Sequence, residues 1–310
     1  MQKRHIGSLE VSVVGLGCNN FGPRLDAAET ARVVGAALDS GINFFDTADI
    51  YGKGRSEEFL GKALGARRKE ILIATKFGMA MDAERKGGRP EYVRRAAEDS
   101  LRRLGTDRID LYQLHQPDPS VPIEETLGAM NELVREGKVR EIGCSNFSAD
   151  MIRDAEGVAS AKRIARFVSV QNEYSLLHRD PEAEVLAECA RVGATFLPYF
   201  PLASGLLTGK YRRGEAAPSG SRLGESSRSG QLSDARLSVV EELRQFVEGR
   251  QHTLLDLAFS WLLARPVVAS VIAGATKPEQ VTQNVASASW TLTADEMSAV
   301  DSITSGRVRN

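Results

Sequence analysis

The chain has 310 residues, 42% hydrophobic and 26% charged, and its 40 Lys and Arg against 41 Asp and Glu give a formal net charge of -1. So much apolar content with such balanced charge excludes general disorder, and no run of about 18 or more apolar residues is present to cross a membrane. Near-neutrality argues against a nucleic-acid partner.

Length alone, at about 150 residues per domain, suggests two domains, but a (β/α) barrel of about 250 residues counts as one. The cysteines Cys18, Cys144 and Cys189 are odd in number and form no Cys-x-x-Cys knuckle. No disulfide framework is expected, and a reduced, cytoplasmic compartment follows. Met1 to Leu9 is polar and lacks the apolar core of a signal peptide. His5, His115, His178 and His252 never pair at helical spacing, so no metal site is expected.

In chain order, His5 to Val11 reads as a small hairpin turning at Gly7-Ser8, placed to plug the bottom of a barrel. Eight short apolar runs follow: Val13 to Gly17, Ile42 to Asp46, Ile71 to Lys76, Ile109 to His115, Glu141 to Asn146, Phe167 to Tyr174, Ala194 to Leu202 and Ala269 to Gly274. Several are continuously apolar, as strands buried on both faces are. Helix signals lie between them. Asp26 caps one helix that Gly41 stops, and Ser56 caps another ending near Gly65. Pro90, Pro122, Pro181 and Pro278 each open a helix, with stops at Gly105, Gly137 and Gly193 for the first three. Thr293 to Glu296 is a capping box for a closing helix. Parallel strands joined by right-handed crossovers, eight times over, close economically into a single (β/α)8 TIM barrel over 1–310. The alternative, an open doubly wound sheet, wants Gly-x-Gly-x-x-Gly, and Gly15-Leu-Gly17 supplies only two of those glycines. Residues 210–233, rich in Gly, Ser and Arg, form a long loop expected to be mobile over the site.

In a barrel the chemistry sits at the C-terminal strand ends. Asp46, Lys76 and His115 end three consecutive strands, and Tyr51 follows the first. Alone, each admits a plainer role: Asp46 as a helix cap, Lys76 as an ion-pair partner, His115 as a structural hydrogen bonder, Tyr51 as loop packing. Together they suggest a buried Asp46–Lys76 pair whose cation lowers the pKa of Tyr51, making its phenol a general acid toward a carbonyl oxygen.

Phe45-Asp46-Thr-Ala-Asp-Ile-Tyr51-Gly, Ala74-Thr-Lys76, Asp110-Leu-Tyr-Gln-Leu-His115 and Gly143-Cys-Ser-Asn146-Phe147 resemble, in order and over essentially the whole chain, the signatures of the aldo-keto reductase superfamily. Val170 to Leu177 and Pro201 to Lys210 are similar to its bacterial branch that also holds the potassium-channel β subunits. The resemblance implies that Tyr51 is the proton donor, Lys76 held by Asp46 its tuner, and His115 the group orienting the carbonyl. It implies hydride transfer from C4 of a reduced nicotinamide, as the pro-R hydride. Ser145, Asn146 and Gln171 match positions that bind the carboxamide, and Tyr199 the aromatic that stacks on the ring. Leu202, Ser204, Gly205 and Lys210 match a pyrophosphate cradle, and Arg222 an arginine that clamps the cofactor. Gly274, Thr276, Lys277, Gln280, Gln283 and Asn284 fall where the family holds adenosine. Here Gly274 and Ala275 replace a Lys-Ser pair, Gln280 an Arg and Gln283 a Glu, while Asn284 is kept. Lys277 can still answer a 2′-phosphate, or be a solvated helix-end lysine. NADPH/NADP+ is expected in preference to NADH.

The expected activity is reversible, NADPH-dependent reduction of small aldehydes and ketones, with no nucleic-acid or membrane partner and an oligomeric state left open. Asn19, Phe21 and Gln116 are candidate substrate contacts, with loops one, four and seven and the C-terminal tail around the pocket. The competing expectation is a cofactor-sensing, partner-binding barrel subunit with slow turnover. The barrel is expected to begin almost at Met1, which leaves no room for a channel-binding tail and favours the enzyme.

Overall fold

The computed structural model describes residues 1–224 and 232–306. Strands β1 (Lys3–Ile6) and β2 (Leu9–Ser12) form an antiparallel hairpin, with Gly7 at φ +54° in its turn. Eight parallel strands then form the barrel: β3 (Val14–Gly17), β4 (Phe44–Asp46), β5 (Leu72–Phe77), β6 (Ile109–Leu114), β7 (Val139–Ser145), β8 (Phe167–Glu173), β9 (Thr195–Tyr199) and β10 (Val271–Gly274). β3 to β9 pair in chain order, each with its neighbour, and β10 pairs with β3. Phe196 on β9 closes the ring, donating to Val267 O at 2.7 Å and accepting from Ala269 N at 3.1 Å.

The helices are α1 (Ala27–Asp39), α2 (Arg55–Leu64), α3 (Pro90–Leu104), α4 (Ile123–Arg135), α5 (Ala149–Lys162), α6 (Val185–Val192), α7 (Asp234–Glu248), α8 (Leu254–Leu263), α9 (Pro278–Ala286) and α10 (Ala294–Thr304). Asp26 caps α1 as expected, in a capping box with Glu29, and Thr293 makes the expected capping box. Two expected openings differ. Ser56 lies inside α2, because its hydroxyl bonds Cys18 O and the Thr47 hydroxyl, both at 2.8 Å, rather than its own helix. Pro181 sits in a short 3-10 turn, and α6 starts later at Val185. Three helices not singled out in the sequence carry caps that were there to read: Ser148, Ser233, and Thr253 with Asp256.

The hairpin is a floor. Ile6, Leu9 and Val11 are fully buried against the inward residues Phe44, Ala74, Leu111, Val168, Leu197, Ala269 and Ile272. Asn43 ties it in place, accepting from Ser12 N at 2.6 Å and donating to Glu10 O at 2.9 Å. That engagement starts β4 at Phe44 instead of Ile42. With the bottom sealed by apolar side chains, polar groups at the strand ends face one open mouth. Of the 210–233 loop, residues 225–231 lie outside the described residues.

Two helix glycines separate propensity from packing. A Cβ on Gly35 in α1 meets nothing within 4 Å, so Gly35→Ala is expected to stabilise by up to ~1 kcal/mol. A Cβ on Gly61 in α2 comes 2.4 Å from the Leu104 carbonyl oxygen at the end of α3, so Gly61→Ala is expected to destabilise despite the same propensity gain. The cost should be about 1–3 kcal/mol in urea denaturation, and equal stabilisation by both variants would show that α2 and α3 are not so closely apposed.

Candidate active site

Strand register brings the site together. Asp46 pairs across from Ala74 on β5, and Lys76 stands two residues further along the same inward face. Lys76 Nζ donates to Asp46 Oδ2 at 2.6 Å and to Thr47 O at 3.0 Å, with the lysine side chain fully buried. Tyr51 follows in a short 3-10 turn, and Lys76 Nζ lies 5.3 Å from its ring centre. His115, one residue beyond β6, meets the Tyr51 ring edge-to-face at 5.8 Å. Asp46, Tyr51, Lys76 and His115 thus converge on one mouth.

Burial governs the protonation states. Desolvation opposes the Lys76 cation, but Asp46 and Tyr51 more than offset it, so its pKa is raised and the charge is kept. Tyr51 differs from the sequence expectation. Desolvation of its hydroxyl outweighs the lowering influence of Lys76, so the phenol is pushed up. His115 is driven down to about 3, by burial first and the Lys76 charge second, and is neutral at ordinary pH.

Asp46 is held by more than Lys76. Its Oδ1 accepts from Gln171 Nε2 at 3.0 Å and Gln113 Nε2 at 3.3 Å. Gln113 was not singled out in the sequence. Its signal was a lone amide in a buried strand, two residues before His115. A second buried ion pair, joining α2 and α3, was also missed by sequence reasoning. Glu57 accepts from Arg103 Nε at 2.6 Å and from Thr75 Oγ1 at 2.5 Å. Asp49, buried beside it, accepts from Tyr92 OH at 3.3 Å, and its carboxyl is raised to about 7 by desolvation and then by Glu57. Among the described residues no group of three or more His, Cys, Asp or Glu is placed to hold a metal ion.

The remaining candidates lie on the ends of β7 to β10 and on the segments that follow them, apart from Asn19, Phe21 and Gln116. Ser145 Oγ donates to Gln171 O at 2.6 Å. Asn146, at φ +61°, donates to His115 O at 2.9 Å and accepts from Tyr199 OH at 2.8 Å. β9 ends at Tyr199, short of the expected Leu202, because Phe200 turns to φ +51°. Leu202 opens a short turn in which Ala203, Ser204 and Gly205 take φ of +46°, +58° and +98°. A Cβ on Gly205 would sit 3.1 Å from Lys210 Cε and Nζ. The bare backbone at 205 therefore lies against an ammonium, a setting that suits a phosphate. Arg222 lies 5.7 Å over the Phe200 ring and donates to Asn20 Oδ1 at 2.9 Å, joining its loop to the one after β3. Around the start of α9, Gln280 Oε1 accepts from Thr276 N at 2.7 Å, Lys277 is exposed at the N-cap, Gln283 is exposed and Asn284 is buried. Gly274 is exposed at the end of β10 beside Asn19 and Asn20. Of the expected substrate contacts, Asn19 is partly exposed and Gln116 exposed, whereas Phe21 is fully buried in the core and does not face the mouth. The bare backbone of Gly205 against the Lys210 ammonium fits the phosphate of a nucleotide cofactor.

The barrel has counterparts of known structure. A glycerol dehydrogenase from Gluconobacter oxydans superposes with a TM-score of 0.86 at 32% identity, covering 99% of this chain and 96% of that one. The model of the Aldo/keto reductase family matches residues 13–305. A Glycine max protein described as "Probable aldo-keto reductase 1" is 38% identical over 288 residues, 89% of this chain and 80% of its own. An Arabidopsis thaliana protein described as "Probable voltage-gated potassium channel subunit beta" is 36% identical over 297 residues, 92% of this chain and 90% of its own. The chain belongs to the aldo/keto reductase family. It is an oxidoreductase by that membership, of a family that generally uses nicotinamide cofactors.

The depressed His115 gives a stability prediction. Its folded pKa lies below the unfolded value, so the unfolded chain binds the extra proton between about pH 6.5 and 3, and stability falls as pH falls through that window. Between pH 7.5 and 4.5 the wild type should lose about 2–3 kcal/mol more than His115→Gln in paired urea melts. Parallel losses in the two proteins would mean that His115 is protonated in the folded state.

Proposed function

We propose that the chain is an NADPH-dependent reductase of aldehydes and ketones, reversible, in a single (β/α)8 domain of the cytoplasm. The observation that carries the reading is the buried Lys76–Asp46 pair set against the Tyr51 ring, with His115 edge-to-face on the same ring. Tyr51 is the general acid: burial keeps its proton on at neutral pH, and Lys76 steadies the phenolate once that proton passes to the carbonyl oxygen. His115, uncharged, has one N–H to share with the same oxygen and orients it without competing as an acid. In the reverse direction Tyr51 takes the proton from an alcohol. When bound, a reduced nicotinamide supplies the hydride. Ser145, Asn146 and Gln171 would hold its carboxamide and Tyr199 its ring. Leu202, Ser204, Gly205, Lys210 and Arg222 would hold the pyrophosphate, and Gly274, Thr276, Lys277, Gln280, Gln283 and Asn284 the adenosine. Lys277, exposed where α9 begins, favours a 2′-phosphate and hence NADPH over NADH.

A second reading has support from the plant relatives described as channel subunits: a nucleotide-sensing barrel with slow turnover. One experiment separates the two. The protein is titrated with NADPH and NADH by fluorescence and then assayed with a panel of small aldehydes. We expect NADPH to bind about tenfold or more tighter than NADH, with turnover, and Lys277→Ala to narrow that gap. Tyr51→Phe should lower kcat by about 10²–10⁴-fold with nucleotide affinity kept. Normal turnover by Tyr51→Phe would remove the acid assignment. Equal affinity for the two nucleotides would remove the NADPH preference, and tight binding without turnover would favour the sensor.

A further inference from the structure

We infer that Gln113 is a positioning residue for the site, an amide that fixes the Asp46 carboxylate so that Oδ2 is presented to Lys76. Three observations support this. Gln113 pairs directly across from Lys76 in the β5–β6 register, so its side chain enters the barrel in the same layer. Its amide nitrogen reaches Asp46 Oδ1 at 3.3 Å, beside Gln171 Nε2 at 3.0 Å. The orientation of the amide is set by chemistry, because a carboxylate only accepts and the end facing it must be NH2. Space for the side chain is made on the next strand. Gly143 stands across from Gln113 on β7, and a Cβ there would lie 3.3 Å from Gln113 Cγ and 2.3 Å from Ser169 Oγ.

The two amides and the ammonium divide the carboxylate. With both donors on Oδ1, Oδ2 is left for the ammonium, and the carboxylate plane cannot rotate without breaking three hydrogen bonds at once. Gln171 is expected to serve the cofactor as well, so its engagement with Asp46 can change when a nicotinamide arrives. Gln113 is fully buried on β6 and holds Asp46 in either condition. Without it, Asp46 would hang on Gln171 and Lys76 alone. The ammonium beneath Tyr51 would then lose its fixed place, and small displacements at a reacting centre are costly in rate.

The inference rests on the reductase reading, so the test carries one measurement that needs no turnover. Gln113→Met keeps length and volume and removes the donor. Gln113→Glu restores a donor only when the introduced carboxyl is protonated. With wild type and Tyr51→Phe as references, Gln113→Met should lower kcat about tenfold, with KM and NADPH affinity within about twofold of wild type. For Gln113→Glu, kcat should climb toward the wild-type value as pH falls and drop as pH rises and two carboxylates face each other. Gln113→Met should stay low throughout. In protein without nucleotide, labelled with carbon-13 at the tyrosine ζ position, the resonance lost in Tyr51→Phe should move in Gln113→Met. Wild-type kcat in Gln113→Met, or the same pH profile for Gln113→Glu and Gln113→Met, would overturn the inference. So would an unmoved Tyr51 resonance. If Tyr51→Phe keeps its turnover the acid assignment fails, and the resonance then decides on Gln113 alone.

Discussion

Lys76 carries a full positive charge into the barrel with none of its side chain exposed, and Asp46, nearly as buried, is what makes that possible. Neither group would be tolerated there alone. Removing one partner of a buried pair typically costs about 3–5 kcal/mol, because the other is left uncompensated. A pair of this kind is weak evidence for stability, since well-packed apolar residues often do as well. Its presence is better explained by what sits above it. The ammonium lies against the Tyr51 ring, and Tyr51, His115, Gln113 and Gln171 all take their electrostatic setting or their geometry from the pair.

The consequence for Tyr51 and His115 is easy to misjudge. A cation beside a phenol suggests a lowered pKa, and Lys76 does pull Tyr51 down. Burial pulls harder the other way. For His115 the two influences add, since both desolvation and Lys76 disfavour an imidazolium. Around neutral pH the mouth therefore presents a phenol that still holds its proton and an imidazole that has none to spare as an acid. A low-dielectric site assigns two different tasks to two titratable groups by opposing one influence of the cation and reinforcing another.

This division explains how much of the site was legible in the sequence. Asp46, Lys76 and His115 announced themselves because ionisable groups at the ends of buried strands must be reconciled with burial, and a fixed strand order places them side by side. The barrel was legible for the same reason: its strands are short apolar runs bounded by turn residues. What depended on balance was not legible. The sign of the Tyr51 shift needs the depth of its hydroxyl, and Ser56 and Pro181 needed to know which backbone groups their neighbours had already taken. The end of β9 turned on the positive φ of Phe200, a residue with no local sign of it. Gln113 was hidden because an uncharged amide in a strand looks like filler until the register sets it opposite Lys76.

The floor of the barrel gives these polar contacts their weight. Beneath Asp46 stands Phe44, beneath Lys76 Ala74 and beneath Gln113 Leu111, all packed on Ile6, Leu9 and Val11 of the hairpin. The polar groups of the mouth thus rest on an apolar layer sealed from below, and a hydrogen bond lost there has little else to replace it. The hairpin packs on the apolar layer beneath the site, and that layer helps set the dielectric in which the pair operates. The hairpin thereby closes the end of the barrel opposite to its chemistry.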